Sequence, residues 1–153
     1  MLQKVGLLGE NLLSDSLINI TDKIQAAILQ QALETSPYEC CGLLAGVGNS
    51  ILATYPLRNL ADKPESKYFA SPDDLFKAMR QMRQAGQEML GIYHSHPRTA
   101  AYPSPTDVEM AFYPEAIYFI ISLEPGIQLR AFKISNAIIE EVNFHVLQEA
   151  EQD

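Results

Sequence analysis

The stretch Ala116-Ile117-Tyr118-Phe119-Ile120-Ile121-Ser122-Leu123 is β-branched, aromatic or small on both alternating sets of positions. Successive strand side chains point to opposite faces, so a strand of this content has no face to give to water and must be buried on both. It reads as a central strand, and the rest of the chain has to supply the layers that cover it.

Helices to do so are present in the pattern. Ile24, Ala27, Ile28 and Ala32 recur at helical spacing between the capping residue Thr21 and Pro37, which predicts a helix over Asp22 to Thr35 whose apolar face lies on a sheet. Ser71-Pro72-Asp73-Asp74 combines a capping serine, proline at the first helical position and acids at the positive end of the dipole. It predicts a second helix that stops near Gly86, with Phe76, Met79 and Met82 as core packing. Pro105 to Phe112 reads as a short third helix. Strands are predicted at Cys41 to Val47 and Ile51 to Leu57, joined by Gly48-Asn49-Ser50 as a hairpin-like turn, and at Met89 to His96. The central strand turns at Glu124-Pro125-Gly126 into Gln128 to Ile134, and Ile138 to Leu147 is the last strand, with His145 beside Asn143 on its polar face. The fold class is mixed α/β. At 153 residues, 47% of them hydrophobic, the chain is expected to form a single domain with its core over about 22–147 and a frayed tail at 148–153.

The 11 Lys and Arg against 19 Asp and Glu leave a formal charge of -8. Such a chain has no sequence-independent hold on a phosphate backbone or an anionic lipid surface, so neither nucleic acid nor membrane is expected as a partner. No run approaches the roughly 20 apolar residues of a membrane span. Cys40 and Cys41 are the only cysteines and are adjacent, too close for an unstrained disulfide. Met1 to Leu13 is interrupted by Gly6, Gly9, Glu10 and Asn11, unlike the apolar region of a secretory leader. A reducing cytoplasm is the expected compartment.

Chemistry concentrates in one place. His94-Ser95-His96-Pro97 ends a strand, Ser104 follows eight positions after His96, and Asp107 three after Ser104. Histidines at i and i+2 of a strand share a face, so their imidazoles can converge on one metal ion at about 2.0–2.1 Å. Asp107, in the first turn of the next helix, can add a carboxylate oxygen. Two neutral nitrogens and one carboxylate suit zinc with a fourth position left to water, the arrangement of a catalytic site. In a chain with 3 His, this pattern arises by chance on the order of once in several thousand sequences. Locally, Ser104-Pro105-Thr106-Asp107 is also a good helix cap, and capping and ligation do not exclude each other. A hydrolase needs a proton shuttle as well. Glu39, at a helix-to-strand junction before Cys40-Cys41-Gly42-Leu43-Leu44, is a candidate, and sequence physics alone does not choose it over Glu88, Glu109 or Glu115.

Glu39, then His94-Ser95-His96-Pro97, six residues, Ser104, two residues and Asp107 resembles the JAMM motif of the JAB/MPN metalloproteases at every position. Glu39 through Gly46 is similar to that family's first core strand, Arg58-Asn59 through Tyr68-Phe69 to its middle loop and strand, and Ala101-Tyr102-Pro103-Ser104 with Thr106-Asp107 to its small bacterial Mec-type branch. The resemblance covers roughly Asp22 to Ile134. It implies a curved mixed sheet flanked by helices, with a cytidine-deaminase-like layout. It further implies His94, His96 and Asp107 as Zn2+ ligands, Glu39 as general acid/base and Ser104 as a hydroxyl supporting the oxyanion. The implied activity is hydrolysis of a peptide or isopeptide bond at the C-terminal tail of a ubiquitin-like sulfur-carrier protein, with release of cysteine as one form of it. A catalytically silent MPN-type binding scaffold and a zinc amidase for small amides or peptides are the alternatives. Cys40, where many relatives carry a small residue, should face away from Glu39 by strand alternation and be inert. A strand-end site beside a loop with Pro97, Pro103 and Pro105 suits an extended tail laid along a sheet edge, with Arg98, Thr99 and Ala100 beside it.

Overall fold

The computed structural model describes residues 17–149 of the chain. The expectations for Met1 to Leu13 and for positions 150–153 lie outside the described residues. Within them the elements run β1 (Ile18–Thr21), α1 (Asp22–Thr35), β2 (Cys41–Val47), β3 (Ser50–Leu57), α2 (Pro72–Gln84), β4 (Glu88–His96), α3 (Pro105–Glu109), β5 (Ile117–Ser122), β6 (Gln128–Ser135), β7 (Ile138–Val142) and β8 (Phe144–Leu147).

The strands form one mixed sheet in the order β7-β6-β5-β4-β2-β3-β1-β8. Pairs β4–β5, β1–β3 and β1–β8 are parallel and the others antiparallel. Only Asn143 separates β7 from β8, yet these lie at opposite ends of the sheet. One ribbon therefore supplies both edges, and the sheet curls round to meet it. This is the curved mixed α/β layout expected.

All six residues of β5 are buried. Tyr118 and Ile120 pack with Ala78 and Met82 of α2 on one face, while Ile117, Phe119 and Ile121 pack with Ile28 and Ala32 of α1 on the other. Each such large side chain removed from water contributes roughly 1.5–3 kcal/mol, which is why the two helices are held on opposite faces. Local chemistry sets their ends. Thr21 Oγ1 accepts from Ile24 N at 3.1 Å to start α1, and Ser71 Oγ accepts from Asp74 N at 3.2 Å to start α2. Gly86, at φ +70°, takes the left-handed conformation just past α2 that other residues resist. A Cβ on Gly42 would collide with the Tyr93 ring opposite it on β4. That ring crosses the strand so that its hydroxyl donates to Gln31 of α1.

Three expectations are corrected and one strand is added. β1 was not anticipated as a strand, because four residues are too few to show a period and its partners, β3 and β8, are distant in sequence. The single last strand breaks at Asn143 into β7 and β8. The third helix ends at Glu109. Phe76 is 70% exposed while Met82 is buried, because steps of three residues drift about 60° each around a helix and carry Phe76 off the buried stripe. No helix among the described residues is long and apolar enough to cross a membrane. Gln148 and Glu149 have no regular structure, but Glu149 pairs with Lys23 at 3.3 Å, so that part of the tail is tied to α1.

Candidate active site

β4 is an interior strand, flanked by β2 and β5, and its C-terminal half is wholly buried. Alternation puts His94 and His96 on the α2 face and Ser95 on the α1 face. The loop after β4 then doubles back. Ala101 is fully buried, Tyr102 sits edge-on to Phe132 at 5.5 Å, and Ser122 Oγ donates to Thr99 O at 2.9 Å. These anchors deliver α3 to the strand end. At its start Ser104 Oγ accepts from Asp107 N at 3.0 Å and Asp107 Oδ2 accepts from Ser104 N at 2.9 Å, a reciprocal capping box.

The oxygen that closes this box also faces the imidazoles. His94 Nε2 and His96 Nε2 lie 3.1 and 3.0 Å from Asp107 Oδ2, and 3.1 Å from each other. Among the described residues these three form the one cluster of potential metal-ligating side chains. The fit to an ion can be tested on proton bookkeeping. His96 Nδ1 lies 2.8 Å from the Ala100 carbonyl, which fixes the proton there and leaves a lone pair at Nε2. That lone pair meets a carboxylate oxygen and a second imidazole nitrogen, and one proton cannot satisfy all three contacts. Their spacing is close to the roughly 3.3 Å that separates tetrahedral ligands at about 2.0 Å from zinc. The donor set and its geometry fit a divalent cation.

Glu39 reaches the same face through pairing. Cys41 is opposite His94, and Cys40 N donates to Ser95 Oγ at 2.8 Å while Ser95 N donates to Cys40 O at 3.1 Å. One further step back along this antiparallel register puts Glu39 opposite His96. Its backbone is pinned on both sides, N–H to Pro64 O at 2.8 Å and C=O to Asn59 Nδ2 at 3.0 Å. Glu39 is 4% exposed and its Oε1 has no hydrogen-bond partner, whereas Glu88, Glu109 and Glu115 are exposed. Burial thus separates the four acids that the sequence left equal. Cys40 lies in the core cluster of the opposite face, and burial pushes its thiol up to about 11. His145 is exposed on β8, far in sequence from the cluster and not part of it.

Burial dominates the electrostatics. It raises the Glu39 carboxyl from 4.5 to about 8, with Asp107 adding to the rise and His96 opposing it. Burial also lowers His94. It works against charge on His96 and Asp107 too, but the Asp107 carboxylate leaves His96 raised, and the His94 and His96 imidazoles together hold Asp107 below the usual carboxylate range. A carboxyl whose folded pKa lies above its unfolded one stabilises the fold fully below the unfolded value, and that stability is lost as pH rises through the folded value. Zinc-free wild type is therefore expected to lose on the order of 3 kcal/mol relative to zinc-free Glu39→Gln between pH 5 and pH 8. Urea unfolding of both proteins at the two pH values reads this difference; parallel pH profiles would show that Glu39 ionises freely.

Two features went unread in the sequence. Ser95 stood inside the motif without a role, although a lone hydroxyl on an apolar strand face signals a buried partner, here the Cys40 N–H. Asn59 and Tyr68 carried no chemical signal of their own. The tail path is also corrected. β4 is flanked by β2 and β5 and so offers no free edge of its own to a tail. An open cleft of about 550 Å³, lined by Tyr38, Glu39, Arg58 and Asn59 among others, reaches Glu39 but none of the three cluster residues.

A curled mixed sheet between helices, with this donor set at the end of an interior strand, places the chain in the JAB/MPN class. It belongs to the prokaryotic homologs of the JAB domain, whose family model matches residues 21–135. A desampylase of Haloferax volcanii is 32% identical over 116 residues, covering 72% of this chain and 84% of that protein. The CysO-cysteine peptidase of Mycobacterium tuberculosis is 32% identical over 127 residues, covering 80% and 86%. Among solved structures, a protein of Desulfitobacterium hafniense superposes with a TM-score of 0.76 at 35% identity, covering 88% of this chain and 94% of that one.

Proposed function

We propose that this chain, acting as one JAB/MPN-like domain in the cytoplasm, is a zinc-dependent hydrolase of the peptide or isopeptide bond at the C-terminal tail of a ubiquitin-like sulfur-carrier protein, and that release of cysteine from such a carrier falls within its reach. The observation that carries the reading is the Glu39 carboxyl, buried with its Oε1 unpartnered and close enough to His96 and Asp107 to feel their charges. A silent scaffold would have no need to keep that carboxyl out of water. The relatives named as a CysO-cysteine peptidase and a desampylase support the substrate class.

His94 Nε2, His96 Nε2 and Asp107 Oδ2 would hold the ion. Zinc, when bound there, supplies Lewis acidity that acidifies water and polarises a carbonyl. Glu39 takes the proton of the attacking water and returns it to the departing amine. A positive charge at the cluster would lower its carboxyl from about 8 and favour the carboxylate that accepts the proton. Ser104 Oγ accepts from Asp107 N and so keeps its own proton free for the developing oxyanion.

Substrate choice follows from depth. His94 and His96 are 1% and 4% exposed, so the scissile carbonyl has to arrive on a thin chain, as a terminal Gly-Gly allows. Incubating the zinc-loaded protein with carrier conjugates and measuring product masses should show cleavage just after Gly-Gly. Conjugates with Val-Val in its place should be cut at least about tenfold more slowly, a misfit of roughly 1.4 kcal/mol. Equal cutting of both tails, or activity on short free peptides alone, would move the assignment to a small-amide hydrolase.

A further inference from the structure

The two imidazoles of the cluster are oriented by different means. His96 Nδ1 is tied to the Ala100 carbonyl at 2.8 Å. His94 Nδ1 is buried with no hydrogen-bond partner, although a metal-bound imidazole ordinarily donates that N–H to a carboxylate, carbonyl or water. What meets the His94 ring is Tyr68, stacked on it with centroids 4.6 Å apart and planes 28° from parallel. Tyr68 belongs to no strand or helix and needs something to hold it. Asn59 does so, its Nδ2 donating to Lys67 O at 3.0 Å and its Oδ1 accepting from Phe69 N at 3.0 Å, so that one amide clamps both neighbours of Tyr68. The same Nδ2 donates to Glu39 O at 3.0 Å, which anchors the clamp to the segment that carries the buried acid.

We infer that Tyr68, clamped by Asn59, is a positioning residue for His94, its ring face fixing the plane of an imidazole that no hydrogen bond orients. The inference rests on the metal-binding part of the proposed function and is independent of the substrate. It requires the aromatic face and not the hydroxyl, so Tyr68→Phe should behave as wild type, while Tyr68→Leu fills the space without a flat face. The test is titration of zinc alone into metal-free protein against a chromophoric chelator, with the absorption spectrum of the cobalt-loaded protein as a second readout. Tyr68→Leu is expected to bind zinc at least about tenfold more weakly, the lower end of what lost outer partners of a metal ligand cost, and to show an altered cobalt spectrum. Tyr68→Phe is expected to keep both. Wild-type affinity in Tyr68→Leu overturns the inference, as does an equal loss in Tyr68→Phe, which would assign the effect to the hydroxyl. If Tyr68→Leu melts below the assay temperature, Asn59→Asp carries the test, because it removes both amide donors: weakened zinc binding supports the clamp and unchanged binding overturns it. A wild-type chain that binds no zinc overturns this inference and the metal reading together. Failure of the substrate reading is seen separately, in conjugate cleavage.

Discussion

Glu39→Gln protein is expected to load zinc as the wild type does and to cleave a carrier conjugate about 10²–10⁴-fold more slowly, the contribution usual for a positioned acid/base. The side-chain amide is nearly isosteric, so the strand pairing that places residue 39 opposite His96 is undisturbed. Its backbone bonds to Pro64 and Asn59 do not involve the side chain at all. What is lost is the capacity to accept a proton at Oε1. Because the buried carboxyl costs stability at neutral pH, the variant should melt no lower than the wild type before zinc is added. Single-turnover cleavage with zinc content measured on the same sample checks this. Near-wild-type turnover in fully loaded protein would transfer the proton shuttle to another group.

Replacing both histidines, His94→Ala with His96→Ala, is expected to reduce zinc from one ion per chain to background and to abolish hydrolysis. A single carboxylate oxygen has no chelating partner left, and the effect exceeds that of any substitution outside the donor set. Equal zinc content in the double variant and the wild type, by elemental analysis of dialysed protein, would remove the metal from the proposal. Asp107→Ala should weaken zinc binding too. It also opens the capping box, since Asp107 Oδ2 accepts from Ser104 N, so its melting temperature has to be read beside its zinc content.

Where the chain carried its own short-range chemistry, the elements were legible. α1 and α2 begin at Thr21 and Ser71 because a hydroxyl three residues upstream satisfies a backbone N–H, and such bonds depend on nothing distant. β5 declared itself by being apolar on both faces. β1 did not, since Ile18–Thr21 is a strand only by virtue of β3 and β8 on either side of it. The same limit hid the break at Asn143, which follows from the sheet curling until one ribbon serves both of its edges.

For the site, local period and capping were enough to show that two imidazoles share a strand face and that Ser104 and Asp107 start a helix. The sequence left Glu39 level with three other acids, and assigned nothing to Ser95, Asn59 or Tyr68. Tertiary structure alone decided those. The Cys40 to Ser95 bond spans 55 residues of chain, and only that pairing sets Glu39 opposite His96 and buries it. Charge state, access and ring orientation depend on what the fold brings into contact and how far it excludes water, and neither is encoded in any window of sequence short enough to be read on its own.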